Sequence, residues 1–255
     1  MILHLFDDEK VVNRCIESFE KAFPDDNLYI CFHDTELKHV KPHRNLHFCG
    51  NIDVFDNSLL SNIDRIIIHY LNLKKVNFIL KHNLVNIPVY WCVWGADLYN
   101  TFLVNRGYSI YYEPQFLGKL HNIKILIKKI LLKFSIISPT EKYMLNFIKD
   151  HINYLVSSVD FFIAKQFLGN YIKGEQVKNF NYYPIENVLG NLSSQMVNGN
   201  IIMIGNSASF TNNHSYAFKY LSKLNIKGKQ IVTPLNYGGS PDYIKHLIKN
   251  YISIS

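Results

Sequence analysis

Short apolar runs alternate with helical stretches in the first part of the chain, and this alternation limits the fold more than any other feature. The runs have the length and the branched or aromatic content of buried strands. They lie at 2–6, 28–32, 46–49, 65–70 and 87–93, with helical periodicity at 11–22 and 76–84. Strands that alternate with helices predict a parallel sheet covered by helices on both faces. We therefore predict an α/β fold.

Polar, glycine and aromatic residues occur at or near the predicted ends of these strands. An open α/β sheet binds its ligands beyond the carboxyl ends of the strands. We therefore expect these residues to line a ligand-binding cleft. The main candidates are His4, Asp7, His69, Trp94, Gly95 and Tyr99, and His33, Asp34, Gly50 and Asn51 extend the same edge.

The composition excludes a disordered chain and leaves three classes of partner. Hydrophobic residues make up 48% and charged residues 18% of the 255 residues, which is enough apolar material for a buried core. The 27 basic and 20 acidic residues give a net charge of +7. Nucleic acid, an anionic membrane surface or an anionic substrate would suit this charge. No nucleic-acid-binding motif is present, so we do not expect nucleic acid to be a partner.

Cysteine and histidine spacing does not predict a metal or redox centre. The four cysteines stand singly in apolar surroundings without a CxxC pair, as expected of buried thiols in a reducing compartment. His39, His43 and His47 recur every fourth residue, but Pro42 interrupts any helix that would align them. We predict no metal and no cofactor. The apolar runs are too short to span a bilayer, and the first residues do not follow the plan of a signal peptide.

Residues 120–134 form a basic amphipathic pattern that has two interpretations. On a helical wheel, Lys124, Lys128, Lys129 and Lys133 share one half, and most of the apolar residues share the other. A helix of this kind can lie on an anionic bilayer. It can equally be a surface helix whose apolar face packs on the sheet.

The strand–helix pattern restarts after a stretch rich in Asn, Ser and Gly. We predict a first domain at 1–190, a linker at 191–200 and a second domain at 201–255. In the second domain, strands are expected at 201–204 and 230–234, and helices at 212–224 and 242–251.

The loop after the strand at 201–204 has three interpretations. Gly205 would let a ligand approach the backbone, and the following helix would offer amide groups to a phosphate. It could also be an ordinary tight turn. The third interpretation is a nucleophile elbow, with Ser207 followed by Asp242 and His246.

A second motif surrounds Trp94, Asp97 and Tyr99, directly after the strand at 87–93. Aromatic faces and a carboxylate suit a sugar, and Asp97 is our only candidate for a catalytic residue. The alternative is a structural role, with Trp91 in the core and Asp97 capping a helix.

At these motifs the chain resembles the bacterial 4-acetamido-4,6-dideoxygalactose (Fuc4NAc) transferases, which use TDP-N-acetylfucosamine and lipid II and are related to 4-α-L-fucosyltransferases. The motifs are Trp-Gly-Ala-Asp-Leu-Tyr at 94–99, Ile-Gly-Asn-Ser-Ala at 204–208 with Asn-Asn-His at 212–214, and Val-Thr-Pro-Leu-Asn-Tyr-Gly at 232–238. His4 and Tyr-Tyr-Pro at 182–184 also fit, less specifically.

The resemblance implies a metal-independent GT-B enzyme with two Rossmann-like domains. Its second domain would hold the TDP-sugar through Gly205, Asn206, Ser207, Asn212, His214, Tyr237 and Gly238. The first domain would bind the acceptor through the cleft candidates named above. Electrostatic help for the leaving diphosphate would come from helix N-termini and side chains.

The implied reaction moves a deoxy-amino sugar onto an undecaprenyl-diphosphate-linked saccharide during synthesis of enterobacterial common antigen or O-antigen. The protein would then act at the cytoplasmic face of the bacterial inner membrane as a peripheral protein. Members of this family continue well beyond the length of this chain. We therefore expect an incomplete second domain with an uncovered sheet, and weak TDP binding or none. The alternative is a non-catalytic remnant that binds acceptor, membrane or a partner.

Overall fold

The computed structural model describes residues 1–33, 37–108, 123, 126, 127, 130, 137–157, 159–178, 199–236 and 238–251. The chain divides into two compact units. Unit 1 comprises Met1–Arg106 and Ser135–Ser193, and unit 2 comprises Gly107–Phe134 and Ser194–Ser255. The predicted linker lies outside the described residues except for 199 and 200, so the predicted domain boundaries stay predictions.

Unit 1 is built around a seven-stranded sheet in which every neighbouring pair of strands is parallel. The strands are β1 (Ile2–Asp7), β2 (Asn27–Phe32), β3 (Leu46–Phe48), β4 (Arg65–His69), β5 (Val89–Cys92), β6 (Ile152–Val156) and β7 (Glu175–Val177). Their order across the sheet is β3-β2-β1-β4-β5-β6-β7. The chain therefore winds outward from β1, returns to place β4 beside it, and winds outward in the other direction. This is the doubly wound, Rossmann-like arrangement.

The helices of unit 1 follow the strands in the order that a parallel sheet requires. They are α1 (Val12–Ala22), α2 (Leu73–Lys81), the single turn α3 (Ala96–Leu98), α4 (Pro139–His151) and α5 (Asp160–Leu168). A π-helical turn, Tyr99–Leu103, follows α3, and short 3₁₀ turns lie at Ile52–Val54, Asn57–Leu60, Val104–Arg106 and Gly169–Tyr171.

Burial on both faces explains why the central strands are almost uninterrupted apolar runs. β1 and β2 are buried along nearly their whole length, and the interior residues of β4 are buried as well. The predicted α/β fold is confirmed, and five predicted strands of this sheet are present with shifts of only a few residues at their ends. β6 and β7 were not predicted, because β7 is short and partly exposed and β6 carries Asn153 and Tyr154 among its apolar residues.

Unit 2 contains a small parallel sheet of two described strands. β8 (Ile201–Met203) and β9 (Gln230–Val232) are followed by α6 (His214–Leu221) and α7 (Pro241–Tyr251), close to the predicted positions. One face of the sheet packs on a core formed by Ile204, Phe218, Tyr243 and Leu247.

The opposite face of this small sheet is exposed and mostly apolar, with Gln230 as a polar member. Ile201 and Met203 are 60% and 67% exposed, and Val232 beside them is 38% exposed. Side chains alternate between the two faces of a strand, which is why these residues share one face. The predicted incompleteness of the second domain stays a prediction.

Within the described residues, none of the helices is both long and apolar enough to cross a membrane.

Candidate functional site

The first candidate site lies at the carboxyl ends of β1 and β4, where the winding of the sheet reverses. Ligands of open α/β sheets bind at such a reversal, because the connections on either side diverge and leave a crevice. Asp7 ends β1 and His69 ends β4. Tyr70 follows directly, with a positive φ of 66°. A bulky residue in this backbone region is strained, and such strain is concentrated at functional sites.

A buried lysine organises this edge. Lys75 of α2 is fully buried, and its Nζ donates to Asp7 Oδ2 at 2.5 Å. It also donates to the backbone oxygens of His69 at 2.6 Å and Tyr70 at 2.8 Å. Burial lowers the pKa of Lys75, and the neighbouring Asp7 carboxylate opposes this shift. The lysine thus holds the strained Tyr70 segment against the end of β1.

Asn72 gives Asp7 a second partner. Its Nδ2 lies 3.0 and 3.2 Å from the two oxygens of Asp7, and its Oδ1 accepts the backbone N–H of Lys75 as the cap of α2. The Asp7 side chain remains 28% exposed. Its carboxylate is therefore held in position and can still meet a ligand at the crevice.

Trp94 borders the same site. It is half-buried, and its ring centroid lies 6.3 Å from those of both Tyr70 and His69 in edge-to-face geometry. The partly accessible groups at this edge are thus a carboxylate, a phenol and an indole. Aromatic faces beside a hydrogen-bonding carboxylate suit the CH faces and hydroxyl groups of a saccharide.

The structure corrects the role predicted for Asp97. We expected it to line a cleft as a catalytic candidate, but its side chain is fully buried. Oδ2 accepts Trp91 Nε1 at 2.7 Å and the N–H of Leu71 at 3.0 Å, and Oδ1 accepts the N–H of Trp94 at 3.0 Å. Burial raises the pKa of Asp97, and these hydrogen bonds oppose the shift. Asp97 is therefore a structural residue that joins the ends of β4 and β5.

His4 and His69 are also corrected, because both were expected in the cleft and both are fully buried. His4 lies in the middle of β1, and its neighbours in the sheet are Tyr29 and Ile67. His4 Nδ1 and His69 Nε2 are 3.2 Å apart, and His4 Nε2 lies 3.1 Å from Asn27 Oδ1. These side chains form a polar link within the core.

The hydrogen bonds define the protonation of this histidine pair. Asn27 Nδ2 donates to Glu20 and to the backbone oxygen of Phe23, so its Oδ1 faces His4 and must accept. His4 is then protonated on Nε2 and accepts on Nδ1 from His69 Nε2–H. Burial lowers the pKa of His4 to about 3 and that of His69 well below its ordinary value. Both rings are neutral near pH 7.

Acidic residues occupy the connection from β1 to α1, where a dinucleotide-binding fold has glycines. The buried Asp8 carboxylate accepts three backbone N–H groups, from Lys38, His39 and Val40, at 2.6 to 3.1 Å. These bonds and the nearby His33 hold the pKa of Asp8 below its usual value although burial opposes them. A carboxylate here tethers the 38–40 loop and does not favour a bound pyrophosphate.

Gly95 and Tyr99 shape the neighbouring strand end. Gly95 has φ of 99°, which favours glycine, and its carbonyl accepts the N–H groups of Leu98 and Tyr99. Tyr99 is partly buried, and its hydroxyl donates to Asp160 Oδ1 at 2.5 Å. These residues position the carboxyl ends of β5 and β6.

The second candidate site is the loop between β8 and α6 in unit 2. Gly205 has φ of 70°, and a Cβ at this position would lie 2.6 Å from Nε2 of the buried His214. Only glycine allows this close approach. His214 Nδ1 lies 3.2 Å from the hydroxyl of Tyr243, so α7 fixes the ring. Burial lowers the pKa of His214, and the backbone of Ser207 opposes the shift.

Asn212 connects the parts of this loop. Its Nδ2 lies 3.2 Å from Asn206 Oδ1 and 3.0 Å from both the backbone oxygen and Oγ of Ser207. Asn206 is exposed, whereas Ser207 is buried. The loop therefore presents the Asn206 side chain and its backbone at the carboxyl end of β8.

The loop after β9 meets the loop after β8. A Cβ on Gly238, which has φ of 77°, would lie 3.6 Å from Ser207 Oγ, and one on Gly239 would lie 2.4 Å from the carbonyl oxygen of Ala208. The two glycines thus allow direct backbone contact between the predicted motifs. Six of the predicted donor-site residues converge here; the seventh, Tyr237, lies outside the described residues.

The nucleophile-elbow interpretation is not supported by the contacts. Ser207 Oγ accepts hydrogen bonds from Asn212 Nδ2 and from the N–H of Ser209. His246 Nδ1 lies 3.1 Å from Asn250 Nδ2, one turn along α7. These bonds do not build a relay from Ser207 to His246. Among the described residues, no group of three or more His, Cys, Asp or Glu side chains is arranged to hold a metal ion.

The predicted membrane lysines, Lys124, Lys128, Lys129 and Lys133, lie outside the described residues. Four apolar residues of the same stretch are described, and they are helical. Ile123, Leu126, Ile127 and Ile130 are 46–58% exposed. Their spacing of three and four places them on one helical face.

Sequence reasoning missed Tyr70, Asn72 and Lys75. One signal was available for Lys75, because it falls on the buried face of α2 beside Val76 and Ile79. A lysine in such a position predicts an acidic or hydrogen-bonding partner, since burying an unpaired ammonium group is costly. The strain at Tyr70 had no sequence signal.

Comparisons with protein-family models and with curated proteins found no match. Among solved structures, one similar chain is a protein from Streptococcus pneumoniae that is provisionally described as an NADH-flavin reductase. It is 14% identical, and the alignment covers 62% of this chain and 71% of that one with a TM-score of 0.32. Similarity at this level carries no argument about fold or function, so the class of protein is defined by the sheet order alone: a doubly wound α/β protein.

Proposed function

We propose that this protein is a glycosyltransferase of the GT-B type. It transfers a deoxy-amino sugar similar to Fuc4NAc from a TDP-sugar to an undecaprenyl-diphosphate-linked saccharide. The observation that carries the proposal is the convergence in unit 2 of two loops that are distant in sequence. Gly205, Ser207, Asn212 and His214 meet Gly238 at the carboxyl ends of parallel strands. Such an edge is where α/β proteins bind nucleotides.

The chemistry of this loop suits a diphosphate. The positive φ of Gly205 turns the backbone toward the strand end, and its lack of a side chain permits close approach. Asn206 offers an exposed amide, and the start of α6 adds the partial positive charge of a helix N-terminus. The buried His214 ring packs against the backbone of Gly205, so we assign it a positioning role.

The acceptor side of the proposal rests on unit 1. Asp7, Tyr70 and Trp94 combine a positioned carboxylate with two aromatic rings at the reversal of the sheet. A carboxylate can accept a hydrogen bond from the attacking sugar hydroxyl, and the rings can pack on its CH faces. Of the predicted acceptor residues, we therefore keep Asp7 and Trp94, add Tyr70, and leave out the buried His4 and His69.

A peripheral position at an anionic membrane completes the proposal. Exposed Ile123, Leu126, Ile127 and Ile130 alternate in sequence with four lysines. Apolar residues that enter the lipid boundary beside basic residues that meet anionic headgroups are the properties of an interfacial helix. A lipid-linked acceptor would be reached from such a position.

Saturation-transfer NMR with TDP tests the donor site, because it detects binding even at millimolar Kd. We expect saturation of the thymine and deoxyribose protons in the natural chain and its loss in Gly205→Ala. Gly228→Ala is the matched control: Gly228 also has positive φ, at 79°, but nothing lies within 4 Å of an added Cβ. Absence of TDP saturation would contradict transfer by this chain and favour the non-catalytic alternative. Equal saturation in Gly205→Ala and the natural chain would contradict the assignment of the donor site to this loop.

A further inference from the structure

A groove of about 680 Å³ lies in unit 1 between α2, the residues that follow β3, and α4. We propose that this groove binds a phosphorylated saccharide. Its volume is within the usual range of small-molecule sites. The residues that define its chemistry are Asp53, Lys74, Asn77, Leu80, Lys81 and Tyr143.

Two lysines in the groove would attract an anion, and Asp53, which also lines it, offsets part of their charge. Lys74 and Lys81 are seven residues apart on α2, so they share one helical face and lie about 10 Å apart along its axis. Lys81 forms an ion pair with Asp53, yet both side chains remain well exposed, at 43% and 72%. The ammonium of Lys81 is thus positioned and still accessible. Lysine binds phosphate as a point charge.

An oriented amide lies between the two lysines. Asn77 is three residues after Lys74 and four before Lys81, on the same face of α2. The hydroxyl of Tyr143 on α4 donates to Asn77 Oδ1 at 3.1 Å. This bond engages the amide oxygen and directs the Nδ2 side toward other acceptors. A sugar hydroxyl is an acceptor of the right kind.

Apolar surface supplies the third element of the site. Leu80 of α2 and Tyr143 of α4 line the groove with accessible side chains, whereas Phe32 at the end of β2 is only 4% exposed. A sugar ring has CH faces that pack on such surfaces, whereas inorganic phosphate has none. Cations, an amide and an aromatic wall together match a ligand that carries both a phosphate and a sugar.

The position of the groove agrees with ligand binding by this fold. Phe32 ends β2, and Cys49 and Gly50 follow β3, so the groove lies at the carboxyl edge of the sheet. This is the edge that binds ligands in doubly wound sheets. The inference rests on unit 1 alone and does not require the donor loop of unit 2.

Isothermal titration with glucose 1-phosphate, inorganic phosphate and glucose, at constant ionic strength, tests the proposal. Glucose 1-phosphate should bind more tightly than either of the other two. The double variant Lys74→Gln/Lys81→Gln should weaken its binding by at least about tenfold, which corresponds to about 1.4 kcal/mol. Asn77→Ala should remove the preference over inorganic phosphate while phosphate itself still binds.

The control is the double variant Lys149→Gln/Lys173→Gln, which changes the same charge at a smaller groove of about 320 Å³ near β6 and β7. It should bind glucose 1-phosphate like the natural chain. Equal loss in both double variants would show non-specific charge attraction and overturn the proposal, as would equal affinity for phosphate and glucose 1-phosphate.

Competition with TDP separates two sources of the phosphorylated saccharide. Displacement of glucose 1-phosphate by TDP would assign the groove to a nucleotide-sugar, and lack of displacement would assign it to a phosphate-linked acceptor. No binding of glucose 1-phosphate, with TDP binding retained and dependent on Gly205, would overturn this inference and leave the proposed transferase function intact.

Discussion

Acidification should destabilise unit 1 through its buried histidine pair. His4 donates from Nε2 to Asn27 and accepts on Nδ1 from His69. A second proton on the ring would have to bind Nδ1, and this would break the hydrogen bond with His69. Its pKa is about 3 in the folded protein. The unfolded chain has a histidine pKa of about 6.5 and therefore binds more protons between these two values. Stability falls as the pH falls through this window.

The magnitude follows from the pKa difference. At pH 5, His4 alone costs about 1.5 pH units times 1.36 kcal/mol, or about 2 kcal/mol relative to neutral pH. His69 acts in the same direction, because burial also lowers its pKa. The lowered pKa of Asp8 has its effect below about pH 4, the ordinary value for an aspartate, so it does not contribute between pH 7 and pH 5.

Urea unfolding followed by tryptophan fluorescence measures this loss in unit 1. The chain has two tryptophans, Trp91 and Trp94, and both lie in that unit. We expect a free energy of unfolding lower by at least about 2 kcal/mol at pH 5 than at pH 7.

The variants isolate the contribution of His4. His4→Gln keeps a donor for Asn27 and should reduce the pH-dependent loss by about 2 kcal/mol. His47→Gln, on the partly exposed strand β3, should retain the full loss. If His4→Gln shows the same difference between the two pH values as the natural chain, the assignment of a neutral, buried His4 is wrong.

Three further predictions concern individual side chains. Asp97→Asn places an amide donor against N–H donors and should lower the free energy of unfolding by about 1–3 kcal/mol, measured by the same fluorescence assay, whereas exposed Glu9→Gln should be neutral within error. Lys75→Met leaves Asp7 and two backbone oxygens without their cation and should cost about 3–5 kcal/mol, while exposed Lys10→Met should have little effect; an equal cost for both would refute the buried ion pair. Replacing Lys124, Lys128, Lys129 and Lys133 by Gln should release the protein from anionic vesicles in a sedimentation assay, and so should high salt, because charge attraction is screened within about 8 Å at physiological ionic strength. The same replacement at exposed Lys223, Lys227, Lys245 and Lys249 should leave vesicle binding unchanged, and unchanged binding after the first replacement would exclude the membrane role of the basic helix.

Hydrophobic patterning was sufficient to predict the α/β fold and most of its strands. β1, β2 and β4 are buried on both faces, so each appears in the sequence as a nearly continuous apolar run. The same reasoning located β8, β9, α6 and α7, and the small-residue loops between them were predicted as a site. Glycine was informative in these loops because its positions reflect backbone geometry, as at Gly205.

Polar side chains near the strand ends could not be placed in the same way. His4, His69 and Asp97 had the residue types of a site, and all three are buried. Their burial depends on partners that are distant in sequence: Asn27 for His4, and the backbone of Leu71 and Trp94 for Asp97. A single sequence shows the cost of burying a polar group but not the hydrogen bonds that offset it.

The sequence by itself determined the alternation of strands and helices, and with it a parallel sheet whose carboxyl edge is the predicted place for a ligand. Only the tertiary structure decided the strand order, and therefore that the sheet reverses between β1 and β4 beside Asp7 and Tyr70. Only the tertiary structure placed Lys75 against Asp7 and Asn77 against Tyr143. The physical reason is that hydrophobic periodicity is a local property of the chain, whereas hydrogen bonds and ion pairs between elements depend on which elements become neighbours.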